Sequence, residues 1–345
     1  MGLNKLILVG NGFDLAHGLK TSYRNFIDWY FCEAFKEFCS RKSYSDALFE
    51  LKNKYTGYTS IYKEQPNTFE EVLEFISFNT NQSIIYHSKF IRKLIEMFRE
   101  NSWVDIERYY FQLLKSYFSN QNLDKRQEVS KLNSEFNYLI VKLTEYIDRI
   151  NENLPSISKL ELSGPFAEVF TKVNSVSEVK VLNFNYTDTV SAKGYLNDED
   201  IIHIHGRASD RESNPIIFGY GDETDPIYQN IEDSGENIFL EHIKSFGYFR
   251  TNNYHRLLSY IDSRAYEVYI IGHSCGLSDR VLLNEIFENQ NCKKIHIYYH
   301  RRIDGTDNFK EITQEISRHF KPQNKNSMRR KIVNKNRLDI IPQIL

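Results

Sequence analysis

Short polar or glycine-rich segments follow several apolar runs of this sequence, and they hold residue types suited to ligand binding and proton transfer. The first, Gly10-Asn11-Gly12-Phe13-Asp14, comes directly after the apolar run Lys5 to Val9. Two glycines after a buried strand permit a tight turn and let backbone N–H groups approach a pyrophosphate. Leu15 stands where a dinucleotide fingerprint has its third glycine, so the segment alone is equally compatible with a turn that binds nothing.

Two further segments bring an amide, a carboxylate and imidazoles to predicted strand ends. Asn185 and Asp188 follow the apolar run Val179 to Phe184, where an open parallel sheet places its ligands, although an Asx turn or helix cap would use the same residues. In His203-Ile204-His205-Gly206, period-two alternation predicts that both imidazoles point to one face before Gly206 turns the chain. We expect His205 to act as a general base, with a buried structural histidine as the alternative.

No metal site is predicted, because the two histidines lack a third ligand at a recognisable spacing. The loop Phe218 to Glu223 is acidic and glycine-rich, and either covers a ligand or forms an ordinary turn.

The last such segment, Gly272-His273-Ser274-Cys275-Gly276, leads into a helix predicted to begin at Ser278 or Asp279. Its small residues and the helix N-terminus could face a phosphate or a ribose, and we include Gly272, His273, Ser274 and Asp279 among the binding residues. The letters also match the G-x-S-x-G of serine hydrolases. Against that alternative, only about 70 residues follow Ser274, and they must supply an acid and a histidine. The candidate histidines are His296, His300 and His319.

Composition indicates a globular intracellular protein. Apolar residues make up 41% of the 345, and the formal net charge of −2 gives no global signal for nucleic acid or membranes. The four cysteines lack CxxC spacing and are too few for a secreted disulfide framework. No stretch is apolar enough for a signal peptide or a membrane span, so we predict a cytoplasmic protein without a membrane partner.

The spacing of apolar residues predicts an α/β fold. Strand-length apolar runs predict a mainly parallel, Rossmann-like sheet with helices on both faces. These runs are Lys5 to Val9, Val179 to Phe184, Ile201 to Ile204, Pro215 to Phe218, Glu267 to Ile271 and Lys294 to Tyr299. Helical periodicity dominates residues 22–170, between the first two of these runs. We therefore assign residues 1–21 and 171–320 to the core and residues 22–170 to a large helical insertion after the first strand and helix. Ser22 and Asn67 are predicted N-caps there.

Residues 321–345 form a basic C-terminal tail, since seven Lys or Arg and no acidic residue occur between Lys321 and Arg337. This tail is either a solvated end or a contact for nucleic acid or an acidic partner.

Taken together, six segments in matching order resemble the AbiH family of bacteriophage abortive-infection proteins. They are ILVGNGFDLAHGLKTSY at 7–23, NSWVDIE at 101–107, LNFNYTD at 182–188, HIHG at 203–206, IIFGYGDE at 216–223 and YIIGHSCGLSD at 269–279. The pattern in turn is distantly similar to sirtuin-like domains, in which an Asn and a His act on NAD. That resemblance implies roles for Asn185 and His205, with Gly10, Gly12 and Ser274 around the dinucleotide. Thr187 departs from it, because sirtuin-like domains have Asp directly after Tyr.

The polar segments and the resemblance together leave three hypotheses open. The first is cleavage of NAD or a related nucleotide at its N-glycosidic bond, with Asp14 or Asp188 stabilising positive charge. The second is a nucleotide-binding sensor without turnover, whose helical insertion or basic tail engages a partner or a phage-derived trigger. Under each hypothesis, a second copy of the chain is a candidate partner. The third is a metal-dependent nuclease, in which Asp14, Asp188, Asp222 and Asp279 converge on an ion.

Overall fold

The computed structural model describes residues 3–54, 65–78, 81–101, 103–122, 124–160, 164–172, 177–336 and 339–343. Ser102 of the NSWVDIE segment and Arg337 of the basic tail lie outside them. The strands are β1 (Asn4–Val9), β2 (Ser43–Ser45), β3 (Phe49–Asn53), β4 (Gln82–Tyr86), β5 (Val179–Asn183), β6 (Ile201–His203), β7 (Tyr266–Ile271) and β8 (Cys292–Tyr298). The helices of the first half are α1 (Asn11–Ala16), α2 (Tyr23–Arg41), α3 (Phe69–Phe78), α4 (Lys89–Glu100), α5 (Ile106–Ser119), α6 (Lys125–Asn153) and α7 (Gly164–Val169). Those of the second half are α8 (Thr189–Ala192), α9 (Pro226–Asp233), α10 (Lys244–Gly247), α11 (Asn253–Ser263), α12 (Arg280–Glu288), α13 (Phe309–His319) and α14 (Lys325–Lys331).

The core is a parallel sheet of five strands in the order β6-β5-β1-β7-β8, as far as the described residues show. Every residue of β1 is buried, as expected for a central strand covered on both faces. Val9 pairs with Asn183 of β5 and with Ile271 of β7, so the carboxyl ends of these three strands lie level at one edge. The predicted runs at β1, β5, β6, β7 and β8 are confirmed.

Helices pack on both faces of the sheet, because alternate residues of each strand point to opposite sides. Leu6 and Leu8 belong to an apolar cluster with residues of α11, α12 and α13. Ile7 and Val9 belong to a second cluster with residues of α1, α7 and α8. The predicted α/β, Rossmann-like fold is therefore confirmed.

The strand order reverses at β1. Counted along the chain, the sheet strands β1, β5, β6, β7 and β8 lie in the spatial order third, second, first, fourth, fifth, as in dinucleotide-binding folds. The chain leaves β1 toward one side of the sheet and later returns to β7 on the other. The carboxyl ends of β1 and β7 therefore flank the topological switch point, where open α/β sheets bind ligands.

The predicted strand from Pro215 to Phe218 is wrong. Among the described residues the sheet ends at β6, and this segment forms no ladder with it. Its hydrogen bonds with the preceding chain include those from Ile217 N–H to the His205 carbonyl, at 2.9 Å, and from the Tyr186 hydroxyl to the Ile217 carbonyl, at 3.4 Å. Proline has no N–H to donate, and Gly206, at φ +89°, turns the chain away from the sheet before the segment begins. Apolar composition alone does not distinguish this buried loop from a strand.

The chain divides into two compact units. The sheet unit comprises Met1–Lys20, Ile147–Gly235 and His242–Leu345, and the other comprises Thr21–Tyr146 and Glu236–Glu241. Residues 147–170, which we expected at the end of the insertion, thus belong to the sheet unit in this division.

The second unit is mainly helical and contains the antiparallel sheet β2-β3-β4, which the sequence did not predict. Ser22 caps α2 as predicted, since its Oγ accepts a hydrogen bond from Asn25 N–H. Asn67 does not cap α3: the Thr68 hydroxyl accepts the hydrogen bond from Glu71 N–H instead.

The described part of the basic tail packs on the sheet unit. Lys331 is buried, and its ammonium donates to the carbonyls of Phe287 and Asn289 at 2.7 and 2.9 Å. Ile332 and Ile340 form bridges with Ile295 and Tyr299, at the outer strand β8 and just beyond it. Among the described residues, no helix combines the length and apolar content needed to cross a membrane.

Candidate functional site

At the topological switch point, backbone hydrogen bonds join the glycine-rich loop after β1 to the end of β7 and the glycine-rich loop that follows it. Gly12 N–H donates to the Gly272 carbonyl at 2.8 Å, and Gly10 N–H donates to the Ile271 carbonyl at 3.1 Å. Gly272 has φ +70°, and a Cβ placed on it would lie 2.2 Å from Phe13 N. These glycines therefore let the loop after β1 and the loop after β7 touch backbone to backbone.

This packing changes the role expected for the first loop. The N–H groups of Gly10, Gly12 and Phe13 all donate to protein carbonyls, so they do not form the predicted cradle for a pyrophosphate. The Phe13 ring lies in the core, 5.2 Å from the Tyr195 ring, rather than at the strand-end surface. Asn11 is exposed and Gly12 partly exposed, so these two remain accessible to a ligand.

Asp14 and Thr187 join the ends of β1 and β5. The Thr187 hydroxyl donates to Asp14 Oδ2 at 2.7 Å, and the Asn185 amide donates to the Gly10 carbonyl at 3.1 Å. Burial raises the pKa of Asp14 to about 6, against the lowering effect of hydrogen bonds from Thr187, Thr189 and Asn185. Thr187, the departure from the sirtuin-like pattern, thus has a defined partner here.

Asp188 lies in a different environment from Asn185. Its carboxylate accepts a hydrogen bond from Arg207 Nε at 2.5 Å, and the same guanidinium contacts Asp198 at 3.2 Å. Asp188 therefore belongs to an ion-pair group with Arg207 and Asp198, and no contact among the described residues joins it to His205.

The two histidines of the third segment do not share a face. β6 ends at His203, whose ring nitrogen lies 3.4 Å from the Asn183 amide. His205 lies instead 5.2 Å from the Phe184 ring, edge-on, and contacts Asp279. β6 ends at His203, and the hydrogen bond from Gly206 N–H to the His203 carbonyl closes a turn that contains His205, so the period-two alternation does not reach His205.

Asp279 is the centre of a buried polar cluster. Its Oδ1 lies 3.0 Å from His205 Nε2 and 2.9 Å from Lys244 Nζ, and its Oδ2 lies 3.5 Å from His273 Nε2. Burial alone would raise the pKa of Asp279, but Lys244 and His205 outweigh it and hold the pKa well below the usual range. Asp279 is therefore a buried anion in contact with Lys244 and the two histidines, and its predicted contact with a ligand stays a prediction.

His205 faces the Asp279 carboxylate through Nε2 at 3.0 Å, but the two groups are not aligned as a hydrogen bond, and Nε2 has no hydrogen-bond partner among the described residues. A carboxylate oxygen can only accept, so its proximity favours the tautomer with the hydrogen on Nε2 and the lone pair on Nδ1. Burial, followed by the charge of Lys244, lowers the pKa of His205 to about 4. At neutral pH the ring is neutral and Nδ1 can accept a proton.

The segment after β7 is built around Cys275, not Ser274. Cys275 is fully buried at φ +56°, and its N–H donates to His273 Nδ1 at 3.0 Å. Ser274 is exposed. Of the histidines considered for a hydrolase, His319 contacts the Cys275 carbonyl at 2.7 Å and His296 pairs with Glu267 at 3.3 Å. These two therefore have partners other than Ser274.

The loop Phe218 to Glu223 docks onto the same region. The Gly221 carbonyl accepts from Val281 N–H at 3.3 Å, and Asp222 pairs with Arg280 at 3.1 Å. A Cβ on Gly221 would lie 2.8 Å from the Ser278 carbonyl, so this loop is pressed against the start of α12.

The carboxylates required for a nuclease do not converge. Asp14 bonds Thr187, and Asp188 and Asp222 pair with two different arginines, whereas Asp279 contacts Lys244. Within the described ranges, no group of three or more His, Cys, Asp or Glu is placed to hold a metal ion.

The predicted residues thus form two linked groups at one edge of the sheet. Asn185, Asp14 and the first glycines lie at the ends of β1 and β5, whereas His205 from the segment after β6 contacts Asp279 from the segment after β7, which His273 also approaches. Lys244 was missed, because a lysine within Ile243-Lys244-Ser245 carries no motif and only its burial distinguishes it.

A parallel sheet with this strand order, and polar side chains at its switch point, defines a Rossmann-like α/β protein. The model of the protein family described as "Bacteriophage abortive infection AbiH" matches residues 6–300 of the chain. The chain belongs to this family, which supports a role in abortive infection. No curated protein and no solved structure matches it.

We predict that Gly272→Ala destabilises the protein far more than Gly305→Ala. Both glycines have positive φ, +70° and +83°, but a Cβ on Gly305 meets nothing within 4 Å. The control Gly305→Ala should lower the free energy of unfolding by roughly 1 kcal/mol, because it has only the conformational cost of a positive φ. Gly272→Ala should lower it by about 3 kcal/mol or more, because its Cβ also clashes with the first loop. Denaturant unfolding measures both. Equal losses would show that the two loops do not pack as described.

We predict that Asp14→Asn gains stability relative to wild type as the pH rises. The pKa of Asp14 is raised from 3.8 to about 6 by burial, so its contribution is full below the unfolded value and is lost as pH rises through the folded value. The variant cannot ionise, and the difference in free energy of unfolding should shift in its favour by roughly 3 kcal/mol across that window. Unfolding curves of both proteins at stepped pH give this difference.

Asp233→Asn, at an exposed carboxylate, is the matched control and should show little change with pH. A difference between Asp14→Asn and wild type that stays constant across the window would contradict the buried, ionisable Asp14.

Proposed function

We propose that this chain binds a nucleotide at the carboxyl edge of its sheet and cleaves the N-glycosidic bond of NAD or a related nucleotide during phage infection. The observation that carries the proposal is the contact of 3.0 Å between Asp279 and His205 beside the topological switch point. A carboxylate that fixes an imidazole tautomer is the arrangement with which enzymes prepare a general base.

The chemistry assigned to His205 is the removal of a proton from water. The bond between the ribose C1′ and the nicotinamide nitrogen breaks, and its electron pair neutralises the positive ring of the leaving group. The water oxygen bonds to C1′, and His205 Nδ1 accepts the proton that the water loses. The neutral state of His205 at neutral pH suits this role, although a pKa of about 4 makes it a weak base that needs an activated C1′.

Asn185 is proposed to position the ribose or the water. Its amide nitrogen is held by the Gly10 carbonyl, which fixes the side chain between the ends of β1 and β5. Because the side chain is fixed in this way, its carbonyl oxygen is held in place and can accept a hydrogen bond from a ribose hydroxyl. Exposed Asn11 and Ser274 on the two loops are proposed to contact the rest of the nucleotide.

Nucleotide profiling of cells before and after phage challenge tests the proposal. Wild type should deplete NAD and release nicotinamide, whereas His205→Ala and Asn185→Ala should slow depletion by about 100-fold or more, the usual loss for a general base. His255→Ala, at an exposed histidine of the same unit, is the control and should behave as wild type. Thermal melting of each variant checks that it folds.

The proposal fails if NAD and related nucleotides stay intact in challenged wild-type cells, and if folded His205→Ala and Asn185→Ala retain phage defence.

Binding without turnover is the second candidate, and the burial of His205 favours it. Only 5% of the residue is exposed, and the N–H groups of the first glycines are already used within the protein. Such a sensor would hold NAD or ADP-ribose at the same edge without reaction. Calorimetric binding of either ligand, with no product in mass spectrometry, would establish this alternative.

A further inference from the structure

Lys244 is as deeply buried as Asp14, and these two are more buried than any other Asp, Glu, Lys or Arg of the candidate site. Lys244 has 1% of its surface exposed, at the start of α10, and its Nζ donates to Asp279 Oδ1 at 2.9 Å. An ammonium ion loses several kcal/mol of solvation on such burial. A lysine is therefore retained at such a position only where its charge has a strong local partner.

The backbone places Lys244 with little freedom. Its N–H donates to the Tyr220 carbonyl at 3.1 Å, and Tyr220 N–H donates to the His242 carbonyl at 3.1 Å. The next residue, Gly221, lies so close to the Ser278 carbonyl that a Cβ would come within 2.8 Å of it. The loop Phe218 to Glu223 thus holds Lys244 against the residue that precedes Asp279.

Lys244 and His205 share one oxygen of Asp279. Both approach Oδ1, at 2.9 and 3.0 Å, while His273 approaches Oδ2 at 3.5 Å. His273 has no nitrogen to spare, because its Nδ1 accepts the Cys275 N–H. His205 is the imidazole of this cluster whose second nitrogen is left for chemistry. Without the ammonium, the buried Asp279 carboxylate would face only the two imidazole rings.

We propose that Lys244 is a positioning residue: its ammonium fixes Asp279 Oδ1 as the acceptor for His205 Nε2–H, and so determines that Nδ1 is the nitrogen left to take a proton. This rests on the proposed function for its catalytic meaning, but the tautomer it specifies belongs to the protein without substrate. Nothing in Lys244 touches a reacting atom. Its effect passes through Asp279 to the ring.

Nitrogen NMR of the histidine rings in the full chain tests the proposal. In wild type, His205 should be the Nε2–H tautomer near neutral pH and should titrate at about 4. Lys244→Met should mix the two tautomers and move the titration of His205 upward, because the repulsive charge and the fixed acceptor are both lost. Asp279→Asn should also disturb the tautomer. Combining Lys244→Met with Asp279→Asn should change the His205 tautomer little more than Asp279→Asn alone, since both substitutions act through the same oxygen.

Lys331→Met is the matched control, because it removes a buried ammonium that donates only to the carbonyls of Phe287 and Asn289. The His205 signals should be unchanged in it. Lys244→Gln serves if Lys244→Met does not fold, since an amide keeps a donor near Asp279 while removing the charge. It should raise the titration of His205 as well.

Two results would overturn the proposal. One is an Nδ1–H tautomer of His205 in the wild type, which needs no variant to detect. The other is a folded Lys244→Met or Lys244→Gln whose His205 tautomer and titration match wild type. Either can occur whether or not the protein cleaves NAD, so this failure is distinguishable from failure of the proposed function.

Discussion

The backbone contact between Gly12 and Gly272 is the constraint on which the candidate site depends. β1 and β7 are adjacent parallel strands, and their two loops leave the sheet at the same level. Without side chains at these positions, the loops meet directly instead of splaying apart. Asn185 is tied to one loop through the Gly10 carbonyl, and Asp279 lies a few residues beyond the other loop, directly before α12. The spacing between the two polar groups therefore follows from this contact.

Burial then gives each polar group its charge state. Asp14 and Asp279 are both buried carboxyls, yet the pKa of Asp14 is raised to about 6 and that of Asp279 is held well below the usual range. The difference is the partner: hydroxyl and amide hydrogens surround Asp14, whereas an ammonium contacts Asp279. Two aspartic acids in one site thus have pKa values shifted in opposite directions, which is the pattern found where one group acts as an acid and another stays ionised. The cost of burying the Lys244 and Asp279 charges is offset only while both are present.

Much of the sheet could be predicted, because buried parallel strands are recognisable as continuous apolar runs between turn residues. The gathering of Asn185, His205 and Asp279 at one edge also follows once the strands are known to be parallel, since the carboxyl ends of such strands share an edge. Pro215 to Phe218 shows the limit: its apolar residues suit a strand, but none of the described strands pairs with it. The shared face of His203 and His205 failed for a related reason, because the alternation holds only as far as the ladder extends.

The residues by themselves determined the α/β class, the strands at the core and the polar segments at their ends, since these depend on local periodicity and on turn-forming residues. Tertiary structure decided the chemistry of those segments. The sequence allowed the glycines of the first loop to face a phosphate. In the structure they face the end of β7 and the loop after it, and their N–H groups donate hydrogen bonds to the Ile271 and Gly272 carbonyls. Lys244 acquires its role only when residue 220 and residue 279 come together in space. Electrostatic effects decay steeply with distance and depend on burial, and neither quantity can be read from positions along a chain.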